Sequence, residues 1–214
     1  MKIFCGYDAR EAQGWRVFTR SVLEHTAAPV ALIPLCGEQR DGSNAFTYER
    51  FRIPEIMNWA GQAIWLDGSD MLLRGDLAEL SSLYDPRYAV QVVPHDYRTK
   101  HPRKYLGTPM ESDNRDYPGK NRSSVVLWNS GHMAHFAHRQ QIRDAIETAD
   151  GAYLHRFGWL EPEEIGPLPM EWNWLVGEYE KNENAKLAHF TLGIPGFAAY
   201  ADSDYADEWR RMAA

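Results

Sequence analysis

Apolar residues recur along this chain in two rhythms, short solid runs and spaced stripes, and the two alternate. "KIFCGYD" (2–8) is a nearly unbroken apolar run closed by a polar residue, the pattern of a buried strand. Residues 10–25 then set Ala12, Trp15, Phe18 and Val22 at helical spacing. "PVALIPL" (29–35) predicts a second strand, opened by its proline and closed by the turn "CGEQRDGSN". "TYERFRIPEIM" (47–57) predicts a helix broken at Pro54. Further strands are expected at 62–67, 88–93, 123–129 and 186–191, with helices at 77–84, 131–149 and in the closing segment 202–212. Strands alternating with helices imply an α/β sandwich with a mainly parallel central sheet flanked by helices. A length of 214 residues is enough for one domain spanning 1–214.

In such sheets ligands gather outside the carboxyl ends of the strands. Asp8, Asp67, His95–Asp96, Asn129 and His189 each finish a predicted strand. A single aspartate in such a place is explained by capping the next turn; five strand ends together point to a site. "IWLDGSDMLLRGD" (64–76) adds detail, because three aspartates, Asp67, Asp70 and Asp76, crowd around one apolar run. Asp76 stands directly before "LAEL" and reads as a helix cap. Asp67 and Asp70 remain for chemistry.

The segment 94–122 carries hardly any apolar periodicity and holds seven Lys and Arg against four acids. A loop of that length in a compact domain suggests a lid or a binding loop, and it brings positive charge toward the aspartates. Carboxylates beside phosphate-seeking cations suggest a divalent metal, Mn2+ or Mg2+, bridging the protein to a diphosphate. Manganese also accepts imidazole, so His189 joins Asp67 and Asp70 as a candidate metal ligand. The glycines that follow in "HFTLGIPGF", Gly193 among them, would let backbone approach a phosphate.

Composition narrows the partners. Net charge is −7 and no basic arm is present, which argues against nucleic acid. No run reaches the length of a membrane span, and "MKIFCGYDAR" is too short an apolar run for a signal peptide, so a cytoplasmic location is expected. Cys5 and Cys36 match neither a disulfide framework nor a metal motif, and are expected to be small core residues in a reducing compartment. Most of the eight Trp and eleven Tyr are expected in the core, the remainder being suited to sugar surfaces.

Beside these readings stands a resemblance. "IWLDGSDMLLRGDLAEL" resembles the strand, Asp-x-Asp-type metal motif and helix of A-type (GT-A) glycosyltransferases, and is most similar to the retaining family 8 group of glycogenin and the lipopolysaccharide galactosyltransferases, in its uncharacterised bacterial branch. "IFCGYDAREAQGWRVFTRSVLEHT", "AFTYERFRIPEI" and "HFTLGIPGF" resemble that group's nucleotide loop, pre-motif segment and closing metal-histidine segment, so the likeness spans roughly 1–200. One departure is that Ser69 stands where the second acid is usual, leaving Asp67 and Asp70 as the pair. Either Asp70 reaches the metal through a different turn, or one aspartate ligates while the other holds the ribose.

The resemblance implies a GT-A-like nucleotide-diphospho-sugar transferase fold. It implies transfer of a sugar from a nucleotide donor, a UDP-sugar first among them, to a carbohydrate or glycolipid acceptor, with a metal and with retention. Tyr7, Asp8, Arg10 and Arg50 would then face the donor. "NRSSVVLWNSG" would line the sugar pocket through Ser124, Asn129 and Gly131, and Trp172, Asn173 and Trp174 would meet the acceptor. Glu163 and Glu164 fall near the region expected to supply the polar group beneath the anomeric carbon. Two other classes stay open: a sugar- or nucleotide-binding protein without chemistry, and a nucleotidyltransferase. The second is disfavoured because "GYDAREAQG" is poor in the glycines of a phosphate loop.

Overall fold

The computed structural model describes residues 1–40 and 43–214, so part of the turn predicted over 36–44 lies outside the described residues. In chain order the elements are β1 (Lys2–Gly6), α1 (Ala12–His25), β2 (Ala31–Leu35), α2 (Ile53–Ile56), β3 (Gln62–Leu66), β4 (Met71–Leu73), α3 (Leu77–Ser82) and β5 (Val90–Val92). They continue with β6 (Arg103–Lys104), β7 (Ser112–Asp113), β8 (Val125–Asn129), α4 (Met133–Ala137), α5 (Arg139–Glu147), α6 (Gly151–Leu154), β9 (Ile165–Pro167), β10 (Trp174–Leu175), β11 (Leu187–His189) and α7 (Ala206–Ala213).

Six strands form the central sheet in the order β2-β1-β3-β8-β5-β9. Three of its five pairings are parallel, and both antiparallel ones involve β8. Strand alternation divides the core cleanly. In β3, Ala63 and Trp65 enter a cluster with Trp128 and Ile142, while Ile64 and Leu66 enter one on the other face with Phe18 and Leu127. α5 therefore covers one face of the sheet and α1 the other. A small second sheet, β10-β11-β4, sits beside the end of β3 and packs with α7 through a third cluster around Phe190 and Trp209.

Several expectations shift. Pro54 does not break a helix; it occupies the first turn of α2, where its missing N–H costs no bond. The helix expected over 131–149 is two helices meeting at His138. Cys5 is buried, and burial pushes its thiol up to about 12, but Cys36 is exposed and no core residue. The tryptophans are largely core, with Trp65, Trp128, Trp159, Trp172 and Trp209 all buried. The reversal of β8 matters most. Asn129 pairs with Gln62 at the start of β3, whereas Val125 pairs with Leu66 at its end. The site end of β8 is thus its beginning, not its finish.

Candidate functional site

The acidic turn follows β3. Gly68 takes φ +80, a conformation that disfavours any side chain, and a Cβ there would lie 2.7 Å from the Gly6 carbonyl oxygen. This left-handed residue absorbs the extra position between the two acids. Ser69 N–H donates back to the Asp67 carbonyl and Met71 N–H to the Gly68 carbonyl, and Asp67 and Asp70 end on the wall of one cleft. Despite the altered spacing, both aspartates face the same cleft.

Asp67 is held from three sides. Arg50 Nη1 lies 2.5 Å from its Oδ1, Trp65 Nε1 donates to the same oxygen at 3.1 Å, and the Asp67 N–H donates to the Ser124 carbonyl. Burial raises the Asp67 carboxyl above its ordinary range, opposed by the Arg50 guanidinium and reinforced by Asp70. Arg50 is itself buried, stacks on the faces of Phe46 and Trp65, and donates to the carbonyls of Thr47 and Ser123.

Asp70 meets His189 across the antiparallel ladder of β4 and β11, in which His189 stands opposite Met71 and Phe190 N–H donates to the Asp70 carbonyl. His189 Nε2 lies 3.2 Å from Asp70 Oδ2. Its Nδ1 lies 2.8 Å from Asn173 Oδ1, and the Asn173 amide is oriented by donation from Nδ2 to the Asn121 carbonyl. With Asn173 presenting its oxygen, His189 donates through Nδ1 and turns Nε2 toward the Asp70 carboxylate. Two electron-rich atoms at that distance call for a proton or a metal between them. Asp70 Oδ1 is buried with no hydrogen-bond partner. Asp70 and His189, the latter oriented by a fixed amide, are the residues here that could hold a divalent ion; the imidazole nitrogen suits Mn2+ better than the oxygen-seeking Mg2+. Among the described residues no three His, Cys, Asp or Glu side chains form a ready-made metal cluster, since Asp67 is turned to Arg50.

The cleft has a volume of about 210 Å³. Asp8 is 3 % exposed and lies behind it: it caps the turn at Ala9–Glu11, and receives Arg10 and the Ala45 N–H. Burial alone would raise Asp8, but those hydrogen bonds hold it below the usual carboxylate range. Arg10 faces the cleft, while Tyr7 packs edge-on against Trp15. Ser124 lines the cleft at the start of β8.

Other expected site residues lie elsewhere. Because β8 runs in reverse, Asn129 sits at the opposite end of the sheet, where its amide donates to the carbonyls of Pro86 and Tyr88, and Gly131 beside it approaches Trp59 and Ala60. Glu163 and Glu164 precede β9, which runs parallel to β5, so they too stand at that far end; the Glu164 carbonyl accepts from the Ala89 N–H. A group there cannot reach a sugar in the cleft. Trp172 is core, and Trp174 donates its Nε1 to the Glu180 carbonyl. Asn173 acts through His189. Gly193 is buried, its N–H donates to the Phe190 carbonyl, and the Tyr200 ring lies where a Cβ would be, at 2.3 Å.

Four residues that composition and spacing left unmarked belong to the site. Lys104 and Tyr105, carried by the β6–β7 hairpin inside 94–122, line the cleft. His155 also lines it, 2.7 Å through Nδ1 from Ser123 Oγ, and burial drives this imidazole down to about 3. Glu11 lies behind it, buried, with Oε1 unpartnered. Burial, then repulsion from Asp70 and Asp8, holds its carboxyl well above the ordinary range. The only sequence signal for Lys104 was the length and charge of its loop; Glu11 and His155 gave none.

Protein CDI of Arabidopsis thaliana is 36% identical over 225 aligned positions, covering 97% of this chain and 84% of that protein. The chain belongs to the Protein CDI family. No protein-family model matches it. Among solved structures it is similar to glycosyltransferase GlyE of Streptococcus pneumoniae TIGR4 (TM-score 0.64, 12% identity, 99% of this chain and 59% of that one). It is also similar to galactosyltransferase LgtC, solved with donor and acceptor sugar analogs (0.63, 12%, 100% and 95%). A third is the bifunctional WbbM (0.60, 13%, 100%), of whose chain it spans about half (49%). At these identities the likeness shows the fold: the sheet and its flanking helices form the GT-A-like architecture of glycosyltransferases. Among the described residues no helix is long and apolar enough to cross a membrane.

Proposed function

We propose that this member of the Protein CDI family is a glycosyltransferase that moves a sugar from a nucleotide-diphosphate donor to an acceptor hydroxyl, with retention and with the help of a divalent metal. The observation that carries the reading is the pairing of Asp70 with His189: a buried carboxylate, one oxygen of which has no partner among the described residues, facing an imidazole nitrogen at the strand ends of a GT-A-like fold. The resemblance of "IWLDGSDMLLRGDLAEL" and "HFTLGIPGF" to the family 8 motifs supports it from an independent side.

Asp70 and His189 Nε2 would hold Mn2+ or Mg2+, with Asp67 on the same wall, and the ion when bound would supply Lewis acidity toward a departing diphosphate. The chain's own groups do the rest. Lys104 and Arg10 face the cleft as fixed positive charges for phosphate oxygens, and they are worth more there than in water because the cleft is partly desolvated. Arg50 opposes the effect of burial on Asp67 and holds it in place. The hairpin bearing Lys104 covers the cleft and limits access of water to the donor.

A second reading, nucleotide binding without transfer, has one observation in its favour: Asp67 is satisfied internally by Arg50. A thermal-shift screen of UDP, GDP, CMP and dTDP with and without manganese, followed by an assay of donor hydrolysis and transfer, separates the two. A true donor nucleotide at ~1,000 times its Kd adds about 4 kcal/mol of stability. A manganese-dependent shift with turnover is expected, and UDP is the first arm. A shift without turnover of any nucleotide sugar favours the binder, and no shift with any nucleotide removes both readings.

A further inference from the structure

A second cleft, about 400 Å³, opens beside the first and shares part of its wall, Lys104, Tyr117, Asn121 and Thr191. Its remaining wall comes from the β7 side of the hairpin and from Lys120. The acids near it are already engaged. Asp113 is bound by Arg115 at 2.7 Å and Arg103 at 3.2 Å, and the buried Glu178 accepts from Thr99, the Lys100 N–H and Asn114. The lysines are not. Among the described residues no carboxylate oxygen lies within ion-pairing distance of Lys104 Nζ, while Lys120 Nζ donates to Asn114 Oδ1 at 2.6 Å and reaches Asp116, half exposed, only at 3.9 Å.

Burial pushes both ammonium groups below the ordinary lysine range, against the opposing pull of Asp70, Glu11 and Asp67 on Lys104 and of Asp116 and Glu178 on Lys120. Two largely desolvated ammonium groups that line one cleft favour an anion between them. Near pH 7 a phosphate monoester carries close to two negative charges where a carboxylate carries one. Two ammonium groups on one cleft wall match the first.

We propose that this second cleft is the acceptor site of the transferase and that the acceptor is a sugar bearing a phosphate monoester, held between Lys104 and Lys120. Lys104 stands at the junction of the clefts, so it contacts both the donor's phosphates and the acceptor's. Sharing a wall, the two clefts can place an acceptor hydroxyl next to the donor sugar. The acceptor role rests on the glycosyltransferase reading; the phosphate site does not.

Calorimetric titration of the whole protein with glucose 6-phosphate, glucuronate and glucose, each with and without saturating UDP and manganese, tests it. Glucose 6-phosphate should bind at least tenfold more tightly than glucuronate, glucose should not register, and UDP should leave the phosphate sugar bound. Lys120→Gln should weaken glucose 6-phosphate at least tenfold, Lys120→Arg should restore it, and Lys100→Gln, exposed and outside the cleft, should not change it. Equal binding of glucuronate, displacement by UDP, or indifference to Lys120→Gln overturns the proposal. Failure of UDP itself to bind would count against the transferase reading, while the Lys120 comparison still decides the phosphate site.

Discussion

Arg50 and Asp67 form a buried ion pair, 2.5 Å between Nη1 and Oδ1, with each side chain almost wholly withdrawn from solvent. Their sequence separation hides a common origin. The turn before α2 carries Arg50 under the sheet end, and β3 delivers Asp67 to the same place. The guanidinium also donates from Nε to the Thr47 carbonyl and from Nη1 to the Ser123 carbonyl, and lays its face on Trp65. Removing one partner of such a pair leaves a buried uncompensated charge, which costs roughly 3–5 kcal/mol. Arg50→Ala should therefore destabilise by about that much in urea unfolding, and Arg50→Ala with Asp67→Asn by clearly less. Equal losses for the single and double variants would show that the pair is not coupled.

Gly68 makes the second prediction, and Gly107 supplies its control. Both have positive φ, +80 and +72. An alanine at Gly107 would meet nothing within 4 Å, so only the left-handed penalty applies, about 1–2 kcal/mol. At Gly68 the new methyl would also press on the Gly6 backbone, which cannot swing away. Gly68→Ala should cost more than Gly107→Ala in chemical unfolding. It should also weaken nucleotide binding, because the turn that aims Asp70 must move. Nucleotide affinity unchanged in a folded Gly68→Ala protein would separate the turn from the site.

How much of this was legible in the residues depends on what each feature required. Period-two and helical patterning place most of the sheet and its covering helices, because burial on both faces leaves its mark in apolar runs such as "AIWL". Strand direction leaves no such mark. A buried strand reads alike forwards and backwards, so Asn129 and Gly131 were expected at the site although β8 carries them away from it. The aspartate turn was legible because carboxylates in an apolar context are rare. The path of that turn depends on the φ of Gly68, which the residues alone do not give. β4 and β10, three and two residues long, are too short for periodicity to register. Lys104, His155 and Glu11 owe their roles to burial and neighbours, which a single sequence does not carry.

Buried neutral histidines give the pH dependence. His135 donates through Nε2 to the Ala89 carbonyl and accepts at Nδ1 from Trp159 Nε1, so a second proton on the ring would face a donor. Burial lowers His135 to about 4 and His155 to about 3, against about 6.5 unfolded. Between those values the unfolded chain binds protons that the native state refuses, so stability rises with pH across that window and falls as pH drops below about 6.5. Each group contributes a slope of up to ~1.4 kcal/mol per pH unit. Melting temperatures measured from pH 7 to pH 4.5 should fall steadily. His135→Gln, though less stable at pH 7, should show a shallower slope. An unchanged slope would mean that His135 already carries its proton in the native protein.

The amide of Asn173 provides the most direct check on the proposed metal. It is fully buried, spends its nitrogen on the Asn121 carbonyl, and so fixes which ring nitrogen of His189 holds the proton. Groups that orient a ligating histidine from behind typically change metal affinity 10–100-fold when removed. Asn173→Ala should destabilise by about 1–3 kcal/mol for the buried partners it strands. It should also raise, by 10–100-fold, the manganese concentration needed for the nucleotide-induced thermal shift, because His189 would be free to turn its protonated nitrogen toward Asp70. The two effects are separable: the first appears without manganese, the second only in the titration. His189→Gln should abolish the manganese dependence while the protein remains folded. A folded Asn173→Ala variant with the manganese midpoint of the wild type would remove His189 from the ligand set and leave Asp70 with Asp67 to hold the ion alone.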